Sequence, residues 1–324
     1  MFKIKDIKKP IEKEMSLFED KFKSSLKTSV PLLDKIMHYI IKRKGKQMRP
    51  MFVFLSAKLF GNINESSYSA ASLIELLHTA TLVHDDVIDE SNFRRGFFSI
   101  NALWKNKIAV LVGDFLLSRG LLLAVEKNEF SLLKIMSKAV KDMSEGELMQ
   151  IEKTRKLNIT EDEYFEIIKK KTAALISACC ESGASSSNTS DENIKTMRDF
   201  GEKAGIAFQI KDDLFDYTQS TLIGKPTGLD IREKKMTLPL IYTLNKVSKN
   251  DKKFIINTIK NDSKNPKKVE QIIMLVKKNK GLEFAESKMN HYFNQSINLL
   301  GNFKNNEAKQ SLTQLVEYVI KRRK

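Results

Sequence analysis

The sequence predicts an all-α fold, and three observations lead to that prediction. The chain has 324 residues, of which 41% are hydrophobic, enough to form a substantial core. No proline occurs between Pro50 and Pro226, and such a stretch favours helices over a turn-rich β fold. Apolar residues recur at helical spacing along most of the chain. We expect one helical domain over residues 1–324, because no segment has the composition of an interdomain linker.

The helical pattern can be followed along the chain. Arg49-Pro50 opens an apolar run, with proline near a helix start, where it is tolerated. Later helices are expected at residues 67–88, 110–125, 132–151, 167–180 and 194–215. Polar breaks are expected at residues 93–98, 158–160 and 183–193. Residues 218–239 are predicted to form a long functional loop, because glycine, proline and charged residues are concentrated there.

The overall charge is strongly basic, with 56 Lys and Arg against 40 Asp and Glu, a formal net charge of +16. The basic residues are spread along the chain with few interleaved aromatics, which disfavours nucleic-acid binding and suits small anionic substrates. Cys179 and Cys180 are neighbours, so no ordinary structural disulfide joins them, and we expect both in the core. We expect no signal segment and no apolar run of about 18 residues, hence a cytoplasmic protein without a membrane span.

Two aspartate clusters point to the chemistry. Asp85 and Asp89 lie one helical turn apart on one face, and Asp212 and Asp216 repeat this spacing. Like charges so placed repel unless a cation lies between them, and carboxylates with room for water and phosphate oxygens suit Mg²⁺. One pair alone would be explained by a solvated helix face. Two pairs that both follow apolar runs predict a bundle that binds a diphosphate through Mg²⁺.

Cationic residues accompany the first cluster. Arg94 and Arg95 follow it closely, and planar guanidinium groups bind phosphate oxygens in a bidentate manner. Lys46 and Arg49 offer a second cationic pocket further upstream. His78 lies two turns before the first aspartate on nearly the same helical face, which directs it toward the site.

These motifs resemble those of the trans-isoprenyl diphosphate synthases, the polyprenyl synthetase family. The resemblance covers residues 35–240, and two small departures are Phe215 in place of leucine and Phe97-Phe98 where a proline often follows the arginine pair. The matching blocks are Gly45-Lys46-x-x-Arg49-Pro50, residues 77–89, Arg94-Arg95-Gly96, Gly113-Asp114-Phe115, Lys171-Thr172, Phe208-Gln209-Ile210-x-Asp212-Asp213-x-x-Asp216, Gly224-Lys225-Pro226-x-Gly228-x-Asp230 and Lys235-x-Thr237-Leu238-Pro239.

The resemblance implies a large helical bundle of the isoprenoid synthase type with a central apolar cavity. It implies Mg²⁺-dependent head-to-tail condensation of isopentenyl diphosphate with an allylic diphosphate, through ionisation, condensation and elimination in a homodimer.

The residues implied to bind isopentenyl diphosphate are Lys46, Arg49, His78 and Arg95. Those implied to bind the allylic diphosphate are Arg94, Lys171 and Lys225, with Lys235 nearby. The implied metal ligands are Asp85, Asp89 and Asp212, with Asp216 direct or through water. The residues implied to line the reacting carbons are Thr172 and Gln209.

Product length depends on the residues one turn before Asp85. Thr81 lies about 6 Å below Asp85 at 1.5 Å per residue, and Ala80 is its neighbour. Family members with short products tend to carry aromatic residues at these two positions, whereas Ala80 and Thr81 are small. We therefore expect an all-trans product longer than farnesyl, of the quinone side-chain type. The alternatives are a short-chain synthase, if both residues merely pack against a neighbouring helix, or a subunit of a hetero-oligomeric synthase.

The same residues also disfavour two other classes of protein. A terpene cyclase would be expected to replace the second cluster with a mixed Asn, Ser and Glu motif, and it has no need of a second diphosphate pocket. A non-catalytic helical protein would not be expected to retain all six aspartates and the cations around them.

Overall fold

The computed structural model describes residues 3–43, 45–94, 96–218 and 227–321, and these residues are almost entirely helical, which confirms the all-α prediction. The helices are α1 (Ile4–Lys8), α2 (Glu12–Ser25), α3 (Pro31–Lys42), α4 (Met48–Phe60), α5 (Glu65–Ile88), α6 (Ile100–Glu126), α7 (Phe130–Lys156), α8 (Glu161–Ile168), α9 (Ala174–Ser186), α10 (Asp191–Thr218), α11 (Leu229–Arg232), α12 (Leu238–Leu244), α13 (Lys249–Asn261), α14 (Pro266–Lys278), α15 (Gly281–Gly301) and α16 (Glu307–Lys321). A 3₁₀ turn covers Lys9–Ile11, a π-helical turn covers Lys169–Ala173, and the strands β1 (Phe93–Arg94) and β2 (Phe97–Phe98) form an antiparallel pair.

Helix α9 lies at the centre of the bundle, in contact with α4, α5, α7 and α10. Its side chains are therefore mostly buried, including both cysteines, which are free thiols in the core as the sequence predicts. Burial raises the pKa of Cys179 to about 12, so this thiol is inert at neutral pH. Large buried side chains from the flanking helices, such as Phe54 of α4 and Phe200 of α10, complete the core.

The predicted polar break at residues 183–193 is wrong in its first part, because α9 continues to Ser186. Gly183 lies so close to α4 that a Cβ atom would come within 2.3 Å of the carbonyl oxygen of Val53. The hydroxyl of Ser186 donates to the carbonyl of Gly183 at 2.8 Å and meets the hydroxyl of Ser67 at 2.8 Å. Small residues here permit close helix packing, whereas composition alone indicated a surface loop.

The predicted loop at residues 218–239 contains helical residues in its described part. Residues 219–226 lie outside the described part of the chain, and α11 and the start of α12 occupy much of the remainder. Gly228 precedes α11 with φ of 76°, a conformation that glycine adopts without strain.

Helix α6 is apolar enough, by length and composition, to cross a membrane, although we expected no such segment from the sequence. One side of this helix packs against α5 and buries Ala109, Val112 and Leu116. The other side leaves Leu111 and Leu122 about half exposed. Because α6 is built into the bundle along one side, its composition is weak evidence for a membrane span.

Candidate active site

The first aspartate cluster lies at the carboxyl end of α5. This helix begins with a capping box, in which the Asn64 side chain accepts from the backbone N–H of Ser67 at 3.1 Å. It ends at Ile88, and Asp89 caps it by donating its backbone N–H to the carbonyl of Asp85 at 2.8 Å. The two carboxylates therefore lie one turn apart, as predicted.

Asp86, between these two residues, is buried and paired with Arg94. The Nε–H of Arg94 donates to both carboxylate oxygens of Asp86 at 2.8 and 2.9 Å, and a terminal guanidinium nitrogen lies 2.6 Å from one of them. The β1–β2 hairpin brings Arg94 back toward α5. Arg94 thus lies beside the first cluster, as predicted, but a buried protein carboxylate already engages it. Arg95 lies outside the described residues.

Asp85 is in an environment that disfavours its ionised form. Burial and the nearby carboxylate of Glu147 raise the pKa of Asp85 to about 6, although Lys171 and Arg94 act in the opposite direction. Lys171 forms an ion pair with Glu147 and donates to the side-chain oxygen of Gln150 at 3.0 Å. The structure therefore brings Lys171 next to the first cluster, held there by two residues of α7.

Lys171 and Thr172 lie on the π-helical turn between α8 and α9, which the sequence analysis did not predict. Two glycines let the neighbouring helices approach this turn. A Cβ atom on Gly146 of α7 would lie 2.7 Å from the backbone nitrogen of Lys171, and one on Gly205 of α10 would lie 2.6 Å from the Cα atom of Ala173. Turns of this type occur frequently at functional sites, because they displace side chains from helical register.

Asp213 of the second cluster forms a buried hydrogen-bonded chain. Its carboxylate accepts from the hydroxyl of Tyr164 at 2.6 Å and from the amide nitrogen of Gln209 at 2.8 Å. The amide oxygen of Gln209 accepts from the hydroxyl of Thr172 at 2.7 Å. Burial raises the pKa of Asp213 to about 7, even though the Tyr164 and Gln209 hydrogen bonds lower it. The predicted pair of Thr172 and Gln209 is therefore in direct contact and attached to the second cluster.

Asp216 is anchored to the segment that follows α10. Its carboxylate accepts from the backbone N–H groups of Leu229 and Asp230 at 2.8 and 3.1 Å, and burial raises its pKa. Asp230 is buried nearby, and burial together with Asp213 and Asp216 raises its pKa to about 8. Asp230 thus adds a further acid to the second cluster. Asp230 belongs to a block of residues that resembles the family, but no role was predicted for it. Its position two residues after Gly228 in that block was the sequence feature that could have identified it.

Lys235 lies close to both aspartate clusters. Burial alone would lower its pKa, but the hydrogen bond to Glu233 at 2.7 Å and the charges of Asp89 and Asp230 raise it. Lys235 therefore stays protonated next to carboxylates from α5 and from the segment after α10. Lys225 lies outside the described residues. Asp212, on α10, is in the turn before Asp216.

A large cavity that Asp86 also lines is enclosed by α2, α3, α4, α5 and the hairpin. It holds about 1190 Å³, counting its open mouth. Lys46, Arg49 and His78 line it together with Asp86 and Arg94. The ammonium of Lys46 donates to the hydroxyl of Tyr318 on α16 at 2.9 Å. Three residues predicted to bind isopentenyl diphosphate are therefore brought together in one cationic cavity.

A second cavity adjoins the second cluster. It is lined by Lys171, Thr172, Gln209, Asp213 and Lys235, among others. Asp85 interacts electrostatically with Lys171 of this cavity and with Arg94 of the first. Each of the two cavities therefore has a cationic side chain near the first cluster.

The acidic residues suit a divalent cation that enters with an anionic ligand. No three His, Cys, Asp or Glu side chains among the described residues form a ready-made metal site. Hard divalent cations such as Mg²⁺ are bound by one or two carboxylates plus substrate phosphates and waters, so separate aspartate pairs fit this chemistry. Burial, together with neighbouring carboxylates, raises the pKa values of Asp85, Asp213 and Asp230, and a bound cation would favour their ionised forms.

The two predicted chain-length residues differ in environment. Ala80 is fully buried in an apolar cluster with Leu76 and Val112, in the α5–α6 contact. Thr81 is half-buried, and its hydroxyl donates to the carbonyl of His78 at 2.9 Å. Thr81 therefore lies one turn before Asp85 with a partly exposed side chain, whereas Ala80 is enclosed by the packing of α5 against α6.

Comparison with known proteins identifies the family of this chain. The polyprenyl synthetase family model matches residues 30–276. The chain is 33% identical to a geranylgeranyl diphosphate synthase of Sulfolobus acidocaldarius over 94% of this chain and 95% of that protein. A decaprenyl diphosphate synthase from Rhodobacter capsulatus superimposes with a TM-score of 0.93, at 31% identity, covering 98% of both chains. A polyprenyl synthase from Caulobacter crescentus CB15, complexed with calcium and isoprenyl diphosphate, superimposes with a TM-score of 0.92 at 30% identity, covering 99% of this chain and 98% of that one. This chain belongs to the polyprenyl synthetase family.

Proposed function

We propose that this chain extends an allylic diphosphate with isopentenyl diphosphate, using Mg²⁺, to an all-trans polyprenyl diphosphate longer than farnesyl that serves as a quinone side-chain precursor. Chain elongation is the activity shared by relatives with both short-chain and long-chain names. The observation that carries the assignment is the pair of cavities near the aspartate clusters, one lined by Lys46 and Arg49 and the other by Lys171 and Lys235. Two such cavities match a reaction that joins two diphosphates.

We assign the first cavity to isopentenyl diphosphate. Lys46, Arg49 and His78 supply donors for its phosphate oxygens, and Arg95 is proposed to join them. The second cavity would take the allylic diphosphate through Lys171 and Lys235. Lys225, and Arg94 from the wall of the first cavity, are proposed as further cations. Arg94 contributes in this proposal mainly by holding the hairpin and Asp86 in place.

The proposed metal ligands are Asp85, Asp89, Asp212 and Asp216. Bound Mg²⁺ would neutralise the leaving diphosphate. Lys171 and Lys235 would stabilise the same developing charge from their fixed positions. Thr172 and Gln209, oriented by the chain that ends at Asp213, would place their oxygens toward the developing allylic cation. The apolar core around the site would exclude water from that cation.

A longer product is supported by the small residues beneath the first cluster. Thr81 presents a small side chain one turn below Asp85, where an aromatic ring would obstruct a growing chain. Ala80 is proposed to contribute indirectly, because its small size sets the distance between α5 and α6.

We propose a cytoplasmic homodimer in which each copy is one domain of residues 1–324. The half-exposed apolar face of α6, with Leu111, Leu121, Leu122 and Val125, supports an interface, because contiguous exposed apolar surface is rare on monomers. Burial of that face against a second copy would also account for the apolar composition of α6.

The assignment is tested by replacing one aspartate of each cluster. Asp85→Ala and Asp212→Ala should each lower Mg²⁺-dependent elongation by about 100-fold or more, because each removes a carboxylate proposed to bind the metal. Asp34→Ala, at a half-exposed position on α3 far from both clusters in the sequence, is the control and should retain full activity. Equal activity of all three variants would refute the metal-site assignment.

A further inference from the structure

Arg43 is a cation of the first cavity to which the sequence analysis gave no role. It follows α3 immediately, as the residue that caps this helix. Its guanidinium carbon lies 3.5 Å from the ring centre of Phe97 and 4.8 Å from that of Tyr39. All three residues line the cavity that holds Lys46 and Arg49. The guanidinium is thus fixed by two aromatic faces, one from α3 and one from the hairpin.

Stacking does not provide a hydrogen-bond acceptor for the Nε–H of Arg43. Its Nε atom is enclosed by protein and has no hydrogen-bond partner among the described residues. A guanidinium carries five N–H donors and no acceptor, and a buried N–H without an acceptor, such as this Nε–H, is costly. Stacking on an aromatic ring stabilises the charge but does not satisfy these donors.

The charges around the cavity indicate which ligand would satisfy them. Its described lining holds five basic side chains, of Lys23, Arg43, Lys46, Arg49 and Arg94, against three carboxylates, of Glu19, Glu75 and Asp86. Asp86 is already engaged by Arg94. The cavity therefore carries excess positive charge before any ligand enters, and an anion with several phosphate oxygens fits it.

The hairpin connects Arg43 to the Arg94–Asp86 ion pair. Phe97, which stacks on Arg43, lies directly opposite Arg94 in the strand pair. The hydroxyl of Tyr39 donates to the backbone carbonyl of Phe98 at 2.6 Å and fixes the same strand to α3. Phe97 also belongs to the Phe97-Phe98 pair, one of the two places where this chain departs from the family pattern.

We propose that Arg43 is a further substrate-binding residue, which donates to the diphosphate of isopentenyl diphosphate while Tyr39 and Phe97 hold its guanidinium plane. This inference rests on the proposed function, because it assigns the first cavity to that substrate. If Arg43 only supported the hairpin through Phe97, its removal would instead weaken the binding of both substrates, because the hairpin also carries Arg94, the partner of Asp86.

Direct binding and steady-state kinetics test the proposal together. Isopentenyl diphosphate is titrated calorimetrically into the full chain without divalent metal or allylic substrate, so that only the first cavity is measured. Arg43→Ala should weaken binding about tenfold, as expected for loss of a charge-assisted hydrogen bond from a half-exposed group. Lys42→Ala, which removes the same charge from the exposed neighbour on α3, should change binding less than about twofold.

Two further variants separate charge from stacking. Arg43→Lys keeps the charge without the planar fork, so binding should recover only in part. Phe97→Leu keeps the guanidinium and removes one stacking ring, so the loss should be smaller than that of Arg43→Ala. Thermal melts compare the folding of every variant with that of the unaltered chain.

In kinetics, Arg43→Ala should raise the KM for isopentenyl diphosphate about tenfold and leave the KM for the allylic substrate within about twofold. A rise in both KM values together, a fall in kcat alone, or unchanged binding would overturn the proposal. A chain that binds isopentenyl diphosphate but forms no product would refute the proposed function, while the calorimetric comparison would still decide the role of Arg43.

Discussion

Arg94 and Asp86 form a partly buried ion pair, with the Nε–H of Arg94 donating to both carboxylate oxygens at 2.8 and 2.9 Å. Asp86 is almost fully buried, whereas Arg94 is about one-third exposed. The pair therefore joins the hairpin to the end of α5, the segment that carries the proposed metal ligands Asp85 and Asp89.

Breaking this pair should destabilise the fold as well as the site. Arg94→Ala leaves the Asp86 carboxylate buried without its cation, which should lower the free energy of unfolding by about 1–3 kcal/mol. The double variant Arg94→Ala with Asp86→Asn should recover part of that loss, because the neutral amide costs less to bury. Urea unfolding of the two single variants and the double variant measures the coupling. Strictly additive losses would contradict a direct interaction.

The π-helical turn is predicted to depend on glycine in the facing helix. Gly146→Ala would place a Cβ atom 2.7 Å from the backbone nitrogen of Lys171, so the turn must shift. Overpacking of this kind costs about 1–3 kcal/mol, and displacement of Lys171 and Thr172 should lower kcat about tenfold or more. The control is Gly301→Ala in α15, where a Cβ atom would meet nothing within 4 Å. If kcat falls equally in both variants, the close approach of α7 does not matter for catalysis.

The reaction class could be predicted from sequence because aspartates at helical spacing keep their geometry on a helix. Asp85 and Asp89 lie one turn apart as expected, and the family assignment is confirmed. The ion pair of Arg94 with Asp86 could not be predicted, because the sequence pattern around an arginine is the same whether the side chain binds substrate or a buried carboxylate. The π-helical turn at Lys171 was missed because hydrophobic periodicity does not register a one-residue displacement within a helix. Arg43 was missed because its aromatic partner Phe97 lies far away in sequence.

Metal binding should depend on pH through the raised pKa values of the buried carboxyls. Asp85, Asp213 and Asp230 have pKa values of about 6, 7 and 8, all above the ordinary value of 3.8. When the pH is below the ordinary pKa, the protonated carboxyls make their full contribution to the stability of the metal-free fold. This contribution is lost as the pH rises through the folded-state pKa values of about 6 to 8. The ionised forms attract Mg²⁺, so the increase in Tm caused by Mg²⁺ should grow from pH 5.5 to pH 8.5.

Thermal melts with and without Mg²⁺ across this pH range measure the effect. Asp230→Asn should flatten the upper part of the dependence, because it removes the group with the highest raised pKa. A Tm increase that is the same at every pH would contradict proton competition at these carboxyls.

Product length should respond to bulk beneath the first cluster. The double variant Ala80→Phe with Thr81→Phe should shorten the product, because aromatic rings would block the path below Asp85. Thr81→Phe alone should produce most of this shortening, since Ala80 is enclosed between α5 and α6. Ala80→Phe alone should chiefly destabilise the fold, by about 1–3 kcal/mol. Chromatographic sizing of the dephosphorylated products gives the length, and an unchanged distribution in the double variant would refute the proposed growth path.

The most direct test of the proposed function uses the purified chain alone. It is incubated with labelled isopentenyl diphosphate, Mg²⁺ and one allylic primer at a time, and the products are sized. We predict Mg²⁺-dependent addition of several isopentenyl units, to an all-trans chain longer than farnesyl, without any added protein. No elongation with any primer would contradict the account and would favour a subunit that requires a partner, and a product ending at farnesyl or below would contradict the proposed chain length.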